Sequence, residues 1–290
     1  MAAVTDPKIC RTEFFMSNVY GKNALVTGAS RGIGQATAQA LAEAGCDVIA
    51  CARGFDPLAD AKKEQVGSGS ITRVKMDVTD EASVAEVIGA LGQIDIAVCC
   101  AGMGVAGAAE ELPMSMARAQ METNYFGVLN VGGKVLPKMR QQGKGLFVVI
   151  GSIAGKVPIP MQCHYSSSKY ALEAYVEAVR MEMKPFGVRA VIIEPGDTKT
   201  GFTDARKTYL DENSPYVKIV EKSVEKMAKD EQGGRSPKTV ADVVLKLISK
   251  ENPPVRVAVG FEYKLLMFIL RFLPDRLKQW ILTKMYLPKV

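Results

Sequence analysis

Thr27-Gly28-Ala29-Ser30-Arg31-Gly32-Ile33-Gly34 stands between an apolar run, Ala24-Leu25-Val26, and an alanine-rich segment, Gln35 to Ala44, that reads as helix. A strand that turns sharply into a helix needs glycine wherever a Cβ would block a close backbone approach, and the helix start presents unpaired N–H groups to an anion. Together these features describe a cradle for the pyrophosphate of a dinucleotide. The spacing is T-G-x-x-x-G-x-G rather than G-x-G-x-x-G, and the glycines alone would also suit a turn with no ligand. What decides between the two lies further along the chain.

Apolar strand patterns recur at Val48 to Cys51, Ile71 to Met76, Ile94 to Cys100, Gly145 to Gly151, Val188 to Glu194 and Val255 to Val259. Between them lie helical patterns at Pro57 to Gln65, Glu81 to Leu91, Pro113 to Arg140, a helix opened by Tyr165 and Lys169, and Ser236-Pro237 leading a helix to Lys250. Gly45 suits the end of the first helix, and Gly67 to Ser70 reads as a turn. Strands alternating with helices predict an α/β, doubly wound, Rossmann-type fold: a mostly parallel, seven-stranded sheet with helices on both faces. Ligands of such sheets sit beyond the carboxyl ends of the strands. One catalytic domain is expected over residues 20–260, with a substrate lid at about 197–236 and an apolar C-terminal extension over 261–290.

Tyr165 and Lys169 are four residues apart, so on a helix they share a face one turn apart. A nearby ammonium favours the phenolate, which lets a tyrosine exchange a proton with a carbonyl or alcohol oxygen. Ser152 stands at a strand end and Asn124 within a helix, in Thr-Asn-Tyr-Phe-Gly. With Asp77-Val78, Ala101-Gly102 and Pro195-Gly196 each following a strand, the order and spacing of these motifs resemble the short-chain dehydrogenase/reductase family over residues 23–260. The resemblance implies a catalytic tetrad of Asn124, Ser152, Tyr165 and Lys169, with Asn124 anchoring a water that links Lys169 to solvent. It implies a nicotinamide dinucleotide on Gly28, Ser30, Arg31, Gly32, Ile33, Gly34, Asp77, Val78, Ala101, Gly102, Tyr165, Lys169, Pro195, Gly196 and Thr198. The family usually carries asparagine before Ala-Gly, whereas Cys99-Cys100 precede it here.

The second strand ends Cys51-Ala52-Arg53, without the acid that binds a free ribose 2′-hydroxyl; Asp47 lies at the strand's other end and reads as a turn residue. Arg31 and Arg53 therefore favour NADP(H), as a clamp on a 2′-phosphate. Ser152, Val157, His164, Tyr165 and Phe202 are the expected substrate contacts. The stretch from Tyr165 to Phe202 resembles the hydroxysteroid and retinol dehydrogenase branch, implying a lipophilic secondary alcohol or ketone, with steroid first, then retinoid or long-chain carbonyl. A 3-ketoacyl-carrier-protein reductase would share the tetrad, and a net charge of +6 would suit an acidic carrier, but such an enzyme has no need of the apolar extension. A non-enzymatic nucleotide sensor would need no proton relay.

The six cysteines contain no Cys-x-x-C pair and there is one histidine, His164, so neither a metal site nor a disulfide framework is expected. No basic cluster with interleaved aromatics points to nucleic acid. Residues 1–23 lack a signal-peptide pattern, which predicts cytoplasmic residence. After Gly260 the run Leu265 to Leu273, with Trp280 to Leu282, is too short to span a bilayer and is broken by Arg271. It is expected to pack on the enzyme, join a homo-oligomer (dimer or tetramer), cover the substrate, or make a peripheral membrane contact.

Overall fold

The computed structural model describes residues 18–287, so Cys10 and most of the N-terminal segment considered above lie outside the described residues. Its strands are β1 (Asn23–Thr27), β2 (Asp47–Ala52), β3 (Lys63–Val66), β4 (Gly69–Lys75), β5 (Ile96–Cys99), β6 (Val105–Ala106), β7 (Gly145–Ile150), β8 (Val188–Glu194), β9 (Lys207–Thr208) and β10 (Arg256–Ala258). The helices are α1 (Gly32–Glu43), α2 (Glu81–Ala90), α3 (Met114–Met121), α4 (Gly127–Gln142), α5 (Cys163–Met183), α6 (Phe202–Ala205), α7 (Val217–Gln232), α8 (Lys238–Ile248), α9 (Phe261–Leu270) and α10 (Asp275–Tyr286). The main sheet has eight strands in the order β10-β8-β7-β5-β1-β2-β4-β3, and every pairing but the last is parallel.

Strands buried on both faces send alternate side chains into two cores. Val26, Val48, Val98, Val148 and Ile193 meet Leu41 of α1 and Val240 and Val244 of α8 on one face. Leu25, Val74, Ala97, Val149 and Ile192 meet Val84, Val131, Val135, Leu172 and Val176 on the other. Fully burying such a side chain is worth about 1.5–3 kcal/mol, so the two layers fix the register of every central strand.

The eighth strand corrects the expected seven, and it comes from the segment read as a helix over Pro57 to Gln65. There the chain makes a short 3-10 turn at Leu58–Asp60 and then runs as β3, antiparallel to β4. Gly67, at φ +58, turns the hairpin, and the Arg73–Glu64 and Lys63–Asp47 ion pairs fasten the strand. Its charged, exposed residues mimic a polar helix face in sequence, yet they equally suit a protected sheet edge. Asp47 opens β2 rather than a turn, and its carboxylate accepts a hydrogen bond from Ser70 Oγ.

The helical stretch expected over Pro113 to Arg140 is interrupted by a π-helical turn at Glu122–Phe126, which contains Asn124. The 197–236 segment contains α6, β9 and α7, and β9 pairs with β6 to pin it beside the strand ends. No helix among the described residues is long and apolar enough to cross a membrane.

Candidate active site

One cleft of about 430 Å³ lies beyond the carboxyl ends of the parallel strands. Its first wall is the β1–α1 turn. Gly28 (φ +64) and Gly32 (φ +59) take left-handed conformations, and a Cβ on Gly34 would lie 2.3 Å from the Gly28 carbonyl oxygen. Only glycine lets α1 start this close to the strand. Arg31 precedes the helix in extended backbone, with no side-chain cap, so the α1 amides face the cleft without a protein anion to satisfy them. Such a turn fits a dinucleotide pyrophosphate. Arg31 and Arg53 line the same cleft and form no ion pair among the described residues.

The opposite wall holds Ser152, Tyr165 and Lys169, the residues expected to move a proton. Tyr165 and Lys169 project from the first turns of α5, and Ser152 follows β7. The Ser152 hydroxyl caps the short turn Ile153–Gly155 by accepting the Ala154 N–H, 3.1 Å away. Burial pushes the Tyr165 phenol up to about 12, while a hydrogen bond with Ser152 pulls it down. Burial lowers Lys169 to about 8; its Nζ donates to the Ile150 carbonyl at 2.9 Å and stands 5.7 Å from the centre of the Tyr165 ring.

Every residue expected to bind the cofactor lines this cleft: Gly28, Ser30, Arg31, Gly32, Ile33, Gly34, Arg53, Asp77, Val78, Ala101, Gly102, Tyr165, Lys169, Pro195, Gly196 and Thr198. Ser152 and Phe202 line it too, and the Phe202 ring packs 5.7 Å from that of Tyr165. Val157 and His164 do not reach the lining; Val157 is buried and His164 is half-buried on α5. Asn124 sits behind the wall. Its Oδ1 accepts the Met103 N–H at 2.8 Å, and its Nδ2 donates to the Met103 carbonyl and to Ser168 Oγ, each at 3.1 Å. In this structure its amide braces the loop after β5 against α5.

The structure also answers for the cysteines that replace asparagine. Thr27 Oγ1 accepts the N–H groups of Cys100 and Ala101, at 3.1 and 3.2 Å, and so ties the turn after β5 to β1. Cys100 lines the cleft, and burial raises its thiol to about 12, leaving it un-ionised. Among the described residues no cluster of His, Cys, Asp and Glu could hold a metal.

Among the cleft residues that escaped the sequence reading are Glu231 on α7, Tyr263 on α9 and Tyr286 on α10. The Tyr263 hydroxyl accepts the Asp197 N–H at 2.9 Å and donates to Asp197 Oδ2 at 2.7 Å. Its ring lies so close over Gly196 that a Cβ there would be 2.0 Å away. The C-terminal extension thus clasps the loop after β8. No local pattern announces that contact, because it joins residues 66 positions apart.

A family model described as short chain dehydrogenase matches residues 22–210. The chain is 35% identical over 269 residues to a 3-ketodihydrosphingosine reductase of Bacteroides thetaiotaomicron, covering 90% of this chain and 97% of the relative. Its fold matches that of a short-chain dehydrogenase from Streptomyces avermitilis with a TM-score of 0.73 and 29% identity, over 90% of this chain and 96% of that one. A Burkholderia cenocepacia short chain dehydrogenase, solved in complex with NADP, matches with a TM-score of 0.69 and 25% identity, over 91% and 97% of the two chains. This chain belongs to the short-chain dehydrogenase/reductase family. It is an oxidoreductase of the alcohol and ketone type, of a fold that binds a nicotinamide cofactor.

Proposed function

We propose that the chain is an NADPH-dependent reductase of a lipophilic ketone, with a long-chain ketone ahead of a steroid. The observation that carries the reading is the cleft itself, where the glycine turn and two unpaired arginines face Ser152, Tyr165, Lys169 and Phe202. The order of substrates, reversed from the sequence expectation, rests on the relative named as a 3-ketodihydrosphingosine reductase, whose similarity runs through 90% of this chain.

When bound, the reduced nicotinamide supplies the hydride. Gly28, Ser30, Gly32, Ile33 and Gly34 would hold its pyrophosphate, Arg31 and Arg53 the 2′-phosphate, and Pro195, Gly196 and Thr198 the nicotinamide end. The chain's own work is to place and protonate the substrate oxygen. Ser152 donates a hydrogen bond that fixes the carbonyl, and Tyr165, held protonated by burial, gives it the proton. With its pKa raised by burial, the phenol is protonated at neutral pH, the form that reduction of a ketone would need. Lys169, with its charge one turn below, eases the phenolate that remains and stands ready to restore its proton. Asn124 keeps Met103 and α5 at the spacing that this relay needs.

The extension belongs to the same reading. Helices α9 and α10 have no buried residue, and with the turn between them they expose Phe261, Phe268, Phe272 and Trp280, with Lys264, Arg271, Arg276, Lys278 and Lys284 close by. Apolar faces with basic neighbours suit a peripheral contact with an anionic lipid surface, from which a lipophilic substrate could enter beside Tyr263 and Tyr286. Free thiols at Cys46, Cys51, Cys99, Cys100 and Cys163 agree with a reducing, cytoplasmic setting, and a homo-oligomer remains part of the proposal.

The test is a panel of a long-chain 3-ketone, a ketosteroid, retinal and a 3-ketoacyl thioester, each with NADPH and NADH, followed by absorbance of the reduced nicotinamide. The long-chain ketone with NADPH should turn over fastest. A preference for the thioester would support a carrier-protein reductase instead, and cofactor binding without turnover of any ketone would favour a sensor.

A further inference from the structure

Gln162 departs from local rules of stability just ahead of the tyrosine that the proposed reaction uses. It is 3% exposed, it lines the cleft, and its Nε2 has no hydrogen-bond partner among the described residues. Buried side-chain amides are ordinarily satisfied, and one left unpaired costs stability. Gln162 is also the N-cap of α5, where Ser, Thr, Asp or Asn would bond to the first turn, yet its side chain makes no capping bond. The amide nitrogen therefore serves neither the core nor the helix.

The backbone before it is strained. Met161 holds φ at +61, the one non-glycine residue with a positive φ among the described residues. Left-handed backbone is costly for a long side chain and persists only where surrounding contacts impose it. Here the Gly107 N–H donates to the Met161 carbonyl at 2.9 Å, and the Gln162 N–H donates to the Ile159 carbonyl at 3.1 Å. Those bonds hold the reversal that delivers Gln162 to the cleft wall, between Ile159 and Tyr165, which line the same space. Strain, an unused cap and an idle donor at one point fit a residue kept for a ligand rather than for folding.

Counting lone pairs says which atom the donor meets. A carbonyl oxygen has two, and in the reading above Ser152 and Tyr165 take both. Gln162 is left to face a different acceptor. Residues three apart on a helix carry Cβ atoms about 5–6 Å apart, so Gln162 meets the substrate a few bonds from the carbon that reacts beside Tyr165. The terminal torsion of a glutamine is broad, which lets the amide turn toward a guest.

We propose that Gln162 is a specificity-determining residue that donates its amide N–H to a second oxygen of the substrate, a carbonyl or ether acceptor a few bonds along the chain from the reacting carbonyl. The inference rests on the long-chain ketone reading above and adds an oxygen acceptor to it. A ketone without that oxygen leaves the buried donor unpaired and binds less well.

The experiment uses the full chain with NADPH and long-chain ketones of equal length, one all-carbon and the others with an ether oxygen replacing the second, third or fourth chain atom from the carbonyl. Wild type should prefer one ether position over the all-carbon ketone by about tenfold in kcat/KM, chiefly through KM, the scale of leaving a buried donor unpaired. Gln162→Met keeps the length of the side chain and removes the donor, so it should bring that ratio to about one. It should also melt no lower than wild type, because it deletes an unpaired buried group. Gln162→Leu gives the same comparison where Gln162→Met fails to fold. A ratio unchanged in these variants overturns the proposal and returns Gln162 to packing. Wild type indifferent to every ether position overturns it as well, and leaves the long-chain reading in place. Wild type that reduces a ketosteroid but no long-chain ketone brings down that reading and the inference with it.

Discussion

Under the proposed function Tyr165 meets two opposing demands: burial holds its proton on, and the reaction must take it off. The hydrogen bond with Ser152 lowers the phenol, and Lys169 Nζ stands 5.7 Å from the centre of its ring. Tyr165→Phe should therefore keep NADPH affinity and lose at least ~100-fold in turnover, because general acid catalysis alone contributes that much. Single-turnover reduction monitored at the nicotinamide band checks it, and near-normal turnover would remove Tyr165 from the relay. Arg31 and Arg53 make a second residue-scale case. A charge-assisted contact to a phosphate is worth about 1.5–3 kcal/mol, so Arg53→Ala and Arg31→Ala should each weaken NADPH by roughly tenfold or more and NADH far less. Equal losses for both cofactors, read by fluorescence titration, would return them to plain surface arginines.

At the scale of elements, a charge network fixes the sheet edge behind the site. Arg256 on β10 reaches Glu173 on α5 at 2.7 Å, Glu177 at 2.5 Å and Glu194 on β8 at 3.8 Å, while Lys156 reaches Glu173 at 3.0 Å. Burial, and then the Glu173 charge, push Glu194 up to about 7. Its native form thus holds a proton that the unfolded chain releases near 4.5, and its contribution to stability falls as pH rises from 4.5 to about 7. Arg256→Ala removes a cation facing both buried carboxylates. The loss should be about 2 kcal/mol, discounted because Arg256 is partly exposed, and larger at pH 8 than at pH 5. Urea denaturation at the two pH values tests it, and equal deficits would mean that Arg256 acts by packing rather than charge.

For the whole molecule, the extension is both a clasp and an exposed apolar surface. Because Tyr263 holds the Gly196–Asp197 loop, removing residues 261–290 should weaken NADPH binding as well as steroid or long-chain turnover. A truncated chain that melts normally and binds NADPH at full strength would deny the clasp. The exposed Phe268, Phe272 and Trp280 lead to a separate outcome. The full chain should sediment with phosphatidylserine-containing vesicles at low salt and less with neutral ones, and Phe268→Ser with Phe272→Ser should release it. No sedimentation with either vesicle would assign the face to another partner.

The glycine turn, the Tyr165–Lys169 pair and the alternating apolar strands were legible in the sequence because each depends on short-range geometry. Positive φ at Gly28 and Gly32, one helical turn between two side chains, and period-two burial are written within a few residues. The same locality explains the error at residues 57–65, where a polar edge strand and a polar helix face share a composition and only pairing with β4 tells them apart. The tertiary structure decided what depends on distance along the chain. It set Thr27 to hold the turn at Cys100, turned Asn124 onto Met103 and Ser168, carried Val157 and His164 away from the cleft, and brought Glu231, Tyr263 and Tyr286 into it. Those contacts join segments that the chain separates by tens of residues, and packing of the two layers around the sheet, which no local pattern encodes, is what brings them together.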